Sequence, residues 1–408
     1  MRTLVIAYEY PWPSDSGTRM RLLTTLRSLV RSGPVDLFSV LPRRRDDIGD
    51  PDPSAGIVRV GHTRVGHGAP GLGDLVHPLT PSDLPMGARR AVGDALAGFA
   101  VGPYDLAWYF DVRAWVLAAG GLQLPAVVDL NDLEDRKIRA RLSIPRVPGP
   151  DRPRPARGDR RPPTAGTAYS RLEARRWARL YRTSSATVRR TVVCSELDAR
   201  RASSAGVARV SVLPNTYPRP ARPVGRSDVG SPPVVLFHGT MRYPPNTDAA
   251  RWLVEEIAPA LRAEVPDVRI RLVGRANPAQ AALHHPPATT VVGPVPDIDV
   301  ELANADVVVV PLRFGSGTRV KIIEAFAHRV PVVSTPLGAE GLGVEDGRHL
   351  LLAGSASALA SACARLLTDL PLRRRLVEAA HRHYLDSFES ACAEEAVADI
   401  VRRAGIEP

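Results

Sequence analysis

The stretch that decides the fold runs from Pro311 to Leu342 and reads PLRFGSGTRVKIIEAFAHRVPVVSTPLGAEGL. An apolar run typical of a buried strand precedes it, and its middle part has the apolar spacing of a helix. Between the two, Gly315 and Gly317 allow the backbone to approach a ligand closely, and Thr318 is suited to cap the helix. A strand, a glycine loop and a helix N-terminus in this order predict an anion site, because free backbone N–H groups face outwards there.

Charged residues at the start of the same helix support this prediction. Arg319 and Lys321 supply cations for a phosphate, and Glu324 follows Lys321 by three residues, so that both project from one face. A cation for a diphosphate beside a carboxylate for sugar or ribose hydroxyls is chemically sensible, although the two could also form an ordinary surface ion pair. Lys321 and Lys137 are the only lysines in a chain whose lysines and arginines total 54.

The same alternation of buried strands and helices recurs along the whole chain of 408 residues. It indicates parallel strands covered on both faces, and a stretch rich in Pro, Gly and Ser at 217–233 divides it. We therefore predict an α/β protein with two Rossmann-like, doubly wound domains that face each other across a cleft. The expected domains are 1–218 and 233–385, joined by a linker at 219–232, with terminal helices at 386–408 that pack back on the first domain.

The positive charge of the chain is concentrated in one segment. The formal net charge is +11, but residues 151–190 alone contain twelve arginines against three acidic residues. The remainder is nearly neutral, which excludes a uniformly basic nucleic-acid binder. Residues 143–168, which overlap this segment, are rich in Pro, Arg and Gly and are predicted to form a mobile surface loop. The charge is expected either to be solvated or to contact an anionic membrane surface or a phosphate-bearing acceptor.

Cysteine, histidine and apolar patterns exclude several classes of protein. The three cysteines, Cys194, Cys363 and Cys392, are far apart and form no CxxC motif, so neither a disulfide framework nor a zinc site is indicated. The histidines show no metal-ligand spacing. The N-terminal apolar run is too short for a signal peptide, and no stretch is credible as a transmembrane helix. We expect a cytoplasmic protein with no cofactor and no bound metal.

Nine segments of the chain together resemble one known family. Their order and spacing are similar to those of GT-B fold glycosyltransferases of the family 4 type, which use nucleotide-diphosphate sugars and retain the anomeric configuration. The HGTMRYPPN and GTRVKIIEAFA pieces most resemble a bacterial branch that assembles exopolysaccharides and cell-surface glycans. The segments are PWPSDSGTRMR, VVDLNDLED, TVVCSE, VSVLPN, FHGTMRYPPNTDAA, IRLVGR, VVGPVPDI, ADVVVVPL and residues 311–342.

The resemblance implies roles for individual residues. Glu324 matches the second glutamate of the family's E-x7-E motif, which holds the donor ribose, whereas Ser316 stands where the first glutamate would contact the donor sugar. Arg242 and Lys321 match the cationic pair that offsets the charge of the leaving diphosphate, which is the catalytic role. The other donor-binding positions that the resemblance implies are Gly17, Gly317, Thr318, Arg319, Arg275 and Val295.

Candidates for the acceptor side belong to the first domain. They are Arg19, Asp111 and Asp132, of which Asp132 lies in an NDLED run whose polar residues the sequence does not rank. The family often places a histidine near the reacting carbon, but the matching AWYFDVRAW run contains none. His238 ends a strand near the predicted cleft and is either functional or a satisfied strand-end histidine.

The expected activity is transfer of a sugar from a nucleotide-diphosphate donor to an acceptor hydroxyl, with retention and without a metal. The donor sugar, the nucleobase and the acceptor, whether a glycan, a lipid-linked molecule or a small natural product, stay open. A sugar-nucleotide epimerase or a phosphorylase of the same fold would need similar residues. A binding module without activity is the alternative of another class, because the acid at position 316 is missing.

Overall fold

Two parallel sheets with helices on both faces make up the protein. The computed structural model describes residues 1–43, 48–66, 80–82, 84–143, 165–220, 231–275 and 278–406. Every strand pairing within the two sheets is parallel. The prediction of an α/β protein with two Rossmann-like units is therefore confirmed. Apolar strand runs alternating with helices predicted it, since a strand covered on both faces needs apolar side chains on both.

The first sheet has seven strands in the order β3-β2-β1-β4-β5-β6-β7. Its strands are β1 (Thr3–Ala7), β2 (Val35–Pro42), β3 (Arg59–Val65), β4 (Leu106–Phe110), β5 (Ala126–Asp129), β6 (Arg190–Val193) and β7 (Val210–Val212). The helices around it are α1 (Gly17–Val30), α2 (Arg89–Phe99), α3 (Val112–Ala118), α4 (Glu134–Ser143), α5 (Ala165–Thr187) and α6 (Glu196–Ser204), with short 3-10 turns at Pro53–Ala55, Met86–Ala88 and Ala119–Gly121. Strands β1 and β4 lie at the centre and are buried throughout.

The second sheet has six strands in the order β10-β9-β8-β11-β12-β13. Its strands are β8 (Val234–His238), β9 (Arg269–Val273), β10 (Thr289–Gly293), β11 (Val307–Val310), β12 (Val332–Ser334) and β13 (Leu351–Leu352). The helices are α7 (Pro244–Trp252), which continues through a π turn (Leu253–Ile257) into α8 (Ala258–Glu264), then α9 (Pro278–Ala281), α10 (Ile298–Ala303), α11 (Val320–Ala327), α12 (Ala356–Thr368) and α13 (Leu370–Ser387). The central strand β11 is four buried valines.

The last helix, α14 (Ser390–Arg403), packs against α1 of the first domain. Its buried side chains Val397 and Ile400 belong to the same apolar cluster as Leu22 and Leu26. The chain therefore crosses between the two sheets a second time before it ends. No helix in the described ranges is long and apolar enough to cross a membrane. The domain boundaries given above stay predictions.

The predicted loop at 143–168 is too long at both ends. Ser143 is the last residue of α4, and residues 165–168 already belong to α5. Helix α5 is anchored further along by Trp177 and Tyr181, which are buried in the core of the first domain, and its helical geometry extends back from that anchor through a polar, exposed turn. The turn has no apolar periodicity that the sequence pattern could detect. Residues 144–164 of the predicted loop, and 221–230 of the predicted linker, lie outside the described residues.

Candidate functional site

The candidate site lies where loops at the ends of β5 and β11 meet between the domains. Ser316, in the loop after β11, donates a hydrogen bond from Oγ to Oδ1 of Asp132 at 2.6 Å. Asn215 donates from Nδ2 to Oγ1 of Thr318 at 2.7 Å. A Cβ on Gly17, at the start of α1, would lie 3.3 Å from Cγ2 of Val320. Three elements of the first domain thus contact the loop and the start of α11, as expected for a cleft at the carboxyl ends of parallel strands.

Gly317 is needed for this approach of the two domains. Its φ of 76° is a conformation that other residues rarely adopt. A Cβ at this position would also lie 2.7 Å from Oδ1 of Asp132, which is closer than a non-bonded contact allows. The glycine predicted from the sequence is therefore required both by its backbone conformation and by the carboxylate facing it.

Arg319 has unused hydrogen-bonding capacity inside the loop. Its Nη1 donates to the carbonyl oxygen of Gly317 at 2.6 Å and to that of Ser316, and only 9% of the residue is exposed. Its Nε and Nη2 are buried and have no hydrogen-bond partner within the described chain. Buried donors without partners cost free energy. An oxyanion bound in this loop would relieve that cost, and one edge of a guanidinium suits it.

Lys321 lies beneath the turn that follows β8. Its Nζ is 3.0 Å from Oδ1 of Asn246 and 4.3 Å from the ring centroid of Phe237. Burial lowers its pKa to about 7, against the opposing effect of Glu324 and with a further lowering by Arg319. A Cβ on Gly239 would lie 2.9 Å from Nζ, so the backbone of the turn closely covers the amine. An anionic ligand here would favour the charged amine and raise the pKa again.

Glu324 is held by a histidine that the sequence left undecided. Nε2 of His238, at the end of β8, lies 2.6 Å from Oε2 of Glu324, and both residues are buried. The contact joins the strand end to α11 and fixes the orientation of the carboxylate. His238 is thus placed against the site, through Glu324.

Asp132 is ionised although it is largely buried. Burial acts to raise the pKa of Asp132, but Lys137, the hydroxyl of Ser316 and Arg319 overcome this effect and lower it. Nζ of Lys137 lies 2.7 Å from its Oδ2 and 3.2 Å from Oε1 of Glu134. The two carboxylates raise the pKa of Lys137 in spite of its burial. The second lysine of the chain therefore also lies at the site, which its rarity alone did not predict.

Three further predicted site residues lie in loops of the second domain. Arg242 is exposed in the turn between β8 and α7. Arg275 places Nη2 3.5 Å from Oδ2 of Asp15 in the other domain, with both side chains nearly half exposed, so this pair is weak. Val295 is partly buried in the loop between β10 and α10.

The acceptor-side candidates in the first domain are engaged in internal contacts. Arg19 is buried, with Nη1 2.9 Å from Oδ1 of Asp15 and Nε 3.4 Å from Oε1 of Glu9. Asp111 caps α3 by accepting from the backbone N–H of Arg113, and its other oxygen lies 2.9 Å from Nη1 of that arginine. Burial raises the pKa of Asp111, with Arg113 acting against this effect.

The structure corrects the expected role of Thr318 as a helix cap. The residue before the first turn of α11 is Arg319, and no side chain caps the helix there. The hydroxyl of Thr318 instead accepts the hydrogen bond from Asn215. The contact joins residues that are 103 positions apart, so local rules for helix caps could not predict it.

A buried network behind the site was not predicted. Arg21 in α1 is 3% exposed and makes two hydrogen bonds of 3.1 Å to the carboxylate of Asp129 at the end of β5. Its Nη1 also donates to the carbonyl of Leu213 and to Oδ1 of Asn215, at 2.7 and 3.0 Å. Asn215 in turn donates to Thr318. The feature of the sequence that could have indicated this network is Asp129, because an acid at the end of a buried strand needs a cationic partner.

Known proteins match this chain in sequence and in fold. Residues 232–369 match the family described as glycosyl transferases group 1. HepE of Anabaena, solved in complex with UDP and glucose, is 17% identical with a TM-score of 0.65, and the match covers 98% of this chain and 99% of that one. Sucrose-phosphate synthase from Thermosynechococcus elongatus is 16% identical with a TM-score of 0.69 and 99% coverage of both chains.

A curated relative is an uncharacterized 44.6 kDa protein in the cps region of Klebsiella pneumoniae. It is 24% identical over 128 residues, which is 29% of this chain and 33% of the relative. Two facing Rossmann-like domains that match these structures over nearly their whole length define the GT-B fold of glycosyltransferases. More particularly, residues 232–369 are similar in sequence to the glycosyl transferases group 1 family.

Proposed function

We propose that the protein transfers a sugar from a nucleotide-diphosphate donor to an acceptor hydroxyl, with retention of configuration and without a metal. The proposal rests on the two cationic side chains at the start of α11 and in the loop before it. Arg319 has two buried donors without a partner in the described chain, and Lys321 is an amine covered by a glycine turn. A diphosphate bound beside them would accept hydrogen bonds from Arg319 and would stabilise the charged form of Lys321. UDP is the first nucleotide to test, because HepE was solved with it.

Different residues are assigned to the different parts of the donor. We assign the diphosphate to Arg319 and Lys321, with the exposed Arg242 joining them when the donor is bound. We assign the ribose to Glu324, whose carboxylate His238 orients at 2.6 Å. Gly17 and Gly317 let the two domains approach the donor, and Arg275 with the backbone near Val295 is assigned to the nucleobase.

The transfer step requires few protein groups. The bond between the anomeric carbon and the diphosphate oxygen breaks, and the acceptor oxygen forms the new bond on the same face of the sugar. The acceptor proton passes to an oxygen of the leaving diphosphate. Arg319 and Lys321 lower the barrier because they stabilise the negative charge that develops on this diphosphate.

Metal independence is part of the proposal because these cations occupy the phosphate end of the site. The described residues contain no group of three or more His, Cys, Asp or Glu side chains that could hold a metal ion. The test is turnover after dialysis against EDTA, with and without added Mg²⁺. Rates that agree within about twofold support the proposal, and a rate that is restored only by Mg²⁺ contradicts it.

One experiment separates transfer from its alternatives. The protein is incubated with a panel of nucleotide sugars, with and without glycan and lipid-linked acceptors, and the release of nucleoside diphosphate is measured. Release that depends on an acceptor supports transfer. A donor epimerised at a sugar carbon would instead indicate an epimerase. Sugar phosphate formed from inorganic phosphate would indicate a phosphorylase, and saturable binding with no product would indicate a binding module.

Contact with an anionic membrane through 151–190 is a second part of the proposal, on the cytoplasmic face. Arg171, Arg175, Arg179 and Arg182 are spaced so that they share one exposed face of α5. With Arg139 of α4 they line two adjoining open cavities of about 320 and 360 Å³. The exposed Leu142, Tyr169 and Leu172 flank this face. Arginines beside exposed apolar side chains favour a lipid surface over solvent.

Vesicle co-sedimentation tests this contact. The double variant Arg175→Glu with Arg179→Glu should lose most binding to vesicles containing 30% phosphatidylglycerol, and wild-type binding should decrease with salt. The variant Arg374→Glu with Arg375→Glu makes the same change of charge on exposed residues of α13 and should bind as the wild type does. Equal losses in both variants, or equal binding to neutral vesicles, would contradict a specific surface.

A further inference from the structure

Asp132 reaches the donor site from the opposite domain. It lies between β5 and α4, yet its Oδ1 accepts a hydrogen bond of 2.6 Å from Ser316 in the loop that precedes α11. Its Oδ2 pairs with Lys137 at 2.7 Å, and a quarter of the side chain, 25%, is exposed. Each carboxylate oxygen offers two acceptor positions, so each has one left for a ligand. The group is therefore fixed in direction by two partners and still able to bind a third.

The charge of Asp132 decides which part of a ligand it can face. Lys137, Ser316 and Arg319 lower its pKa against the effect of burial, so the carboxylate is anionic and can only accept hydrogen bonds. A phosphate placed here would be repelled, whereas a hydroxyl group would donate to it. In a nucleotide-diphosphate sugar, hydroxyl groups lie on both sides of the diphosphate, on the ribose and on the transferred sugar. The ribose is assigned to Glu324, which leaves the sugar for Asp132.

We propose that Asp132 binds a hydroxyl of the transferred sugar and thereby supplies, from the first domain, the carboxylate that Ser316 lacks. This inference rests on the proposed function and names a residue that determines sugar recognition. Ser316 Oγ already lies 2.6 Å from Oδ1, so the longer, charged side chain of a glutamate at 316 would meet the carboxylate of Asp132. Serine at 316 and aspartate at 132 therefore fit together as a pair.

The arrangement couples sugar binding to closure of the cleft. Because the carboxylate belongs to one domain and the phosphate-binding cations to the other, a complete sugar site exists only when the two domains are in contact. Lys137 acts as a positioning residue, since it holds Oδ2 while Ser316 holds Oδ1. UDP gains no hydrogen bond from Asp132 in this scheme, whereas a UDP-sugar does.

The ratio of two affinities tests the inference. Binding of UDP and of UDP-glucose is measured by calorimetry for the wild type, Asp132→Asn, Asp132→Ser, Ser316→Ala and the control Asp94→Asn, which changes an exposed acid of α2. Asp132→Asn should weaken UDP-glucose about 10- to 100-fold, the effect of losing a hydrogen bond to a charged group, while UDP changes less than about twofold. Ser316→Ala removes one of the two contacts that hold the carboxylate and should weaken UDP-glucose less than Asp132→Asn does. Asp94→Asn should leave both affinities unchanged, and a variant that binds UDP as the wild type does is folded.

A swap of the two positions gives the second measurement. Asp132→Ser combined with Ser316→Glu returns one carboxylate to the same place, so UDP-glucose affinity should recover relative to Asp132→Ser alone. Equal losses for UDP and UDP-glucose, no loss in Asp132→Asn, or a double variant no better than the single one would each overturn the inference. A wild type that binds neither compound would instead contradict the proposed donor class.

Discussion

The affinity for a nucleotide sugar should decrease as the pH rises above neutrality, because Lys321 loses its proton in that range. Burial lowers the pKa of Lys321 to about 7 in the free protein. At pH 8 about nine in ten of these amines are therefore neutral. A bound diphosphate favours the charged amine, so binding must be accompanied by proton uptake. Where only the protonated form binds, affinity falls by about tenfold per pH unit above 7.

Calorimetry in two buffers of different ionisation enthalpy measures this uptake directly. UDP-glucose is the suitable ligand, because its phosphates are fully ionised at neutral pH. Uptake should approach about 0.9 proton per site at pH 8 and fall to about 0.1 at pH 6. Lys321→Met should bind more weakly and with little uptake at either pH. His238→Gln is the second control, because Nε2 of His238 lies 2.6 Å from Oε2 of Glu324 and the variant removes the imidazole from this contact. Unchanged uptake in Lys321→Met, or uptake that grows as the pH falls, would refute the reasoning.

Three further predictions concern the contacts around the loop. Asp129→Asn leaves the buried Arg21 without an anion and should lower the free energy of unfolding by about 3–5 kcal/mol, measured by urea denaturation; a loss under about 1 kcal/mol would contradict the network. Gly317→Ala places a Cβ 2.7 Å from Asp132 and should reduce sugar transfer at least about tenfold, and full activity would show that the closed contact is not needed. Thr318→Val removes a neutral hydrogen bond and should cost only about 1 kcal/mol, so a loss as large as that of Asp129→Asn would reverse the expected order.

The fold and one half of the site follow from local sequence patterns. Apolar runs in the sequence predict the buried strands. The candidate residues around the start of α11 are close together in sequence, so helical spacing could place Lys321 and Glu324 on one face. The spacing could not place His238 against Glu324, although both residues were singled out. That contact depends on the register between a strand end and a helix, which tertiary packing sets.

The other half of the site depends on contacts between distant residues. Asp132 and Ser316 are 184 positions apart, and Arg21 and Asp129 are 108 apart. No periodicity links such pairs, because domain closure brings the first together and sheet packing the second. The NDLED run could not be ranked for this reason: its four polar residues are equivalent until the facing loop selects Asp132. Thr318 was given the wrong partner for the same reason, since a helix cap is a local contact and Asn215 is not.

The two lysines of this arginine-rich chain show what the site requires of its cations. Lys137, on the first-domain side, has a raised pKa because Asp132 and Glu134 outweigh its burial, so it is a permanent charge that holds Asp132. Lys321, on the second-domain side, has a pKa lowered by burial to about 7. It is therefore only partly protonated at neutral pH until an anionic ligand binds. Arginine does not lose its proton in proteins. An arginine at 321 would carry the full cost of a buried charge while the site is empty, and its larger head would meet the backbone at Gly239, where Nζ already leaves no room for a Cβ. A lysine that is only partly charged at neutral pH when the site is empty, and fully charged when a diphosphate binds, lowers the first cost and avoids the second. This distinguishes position 321 from the exposed positions where arginine serves equally well.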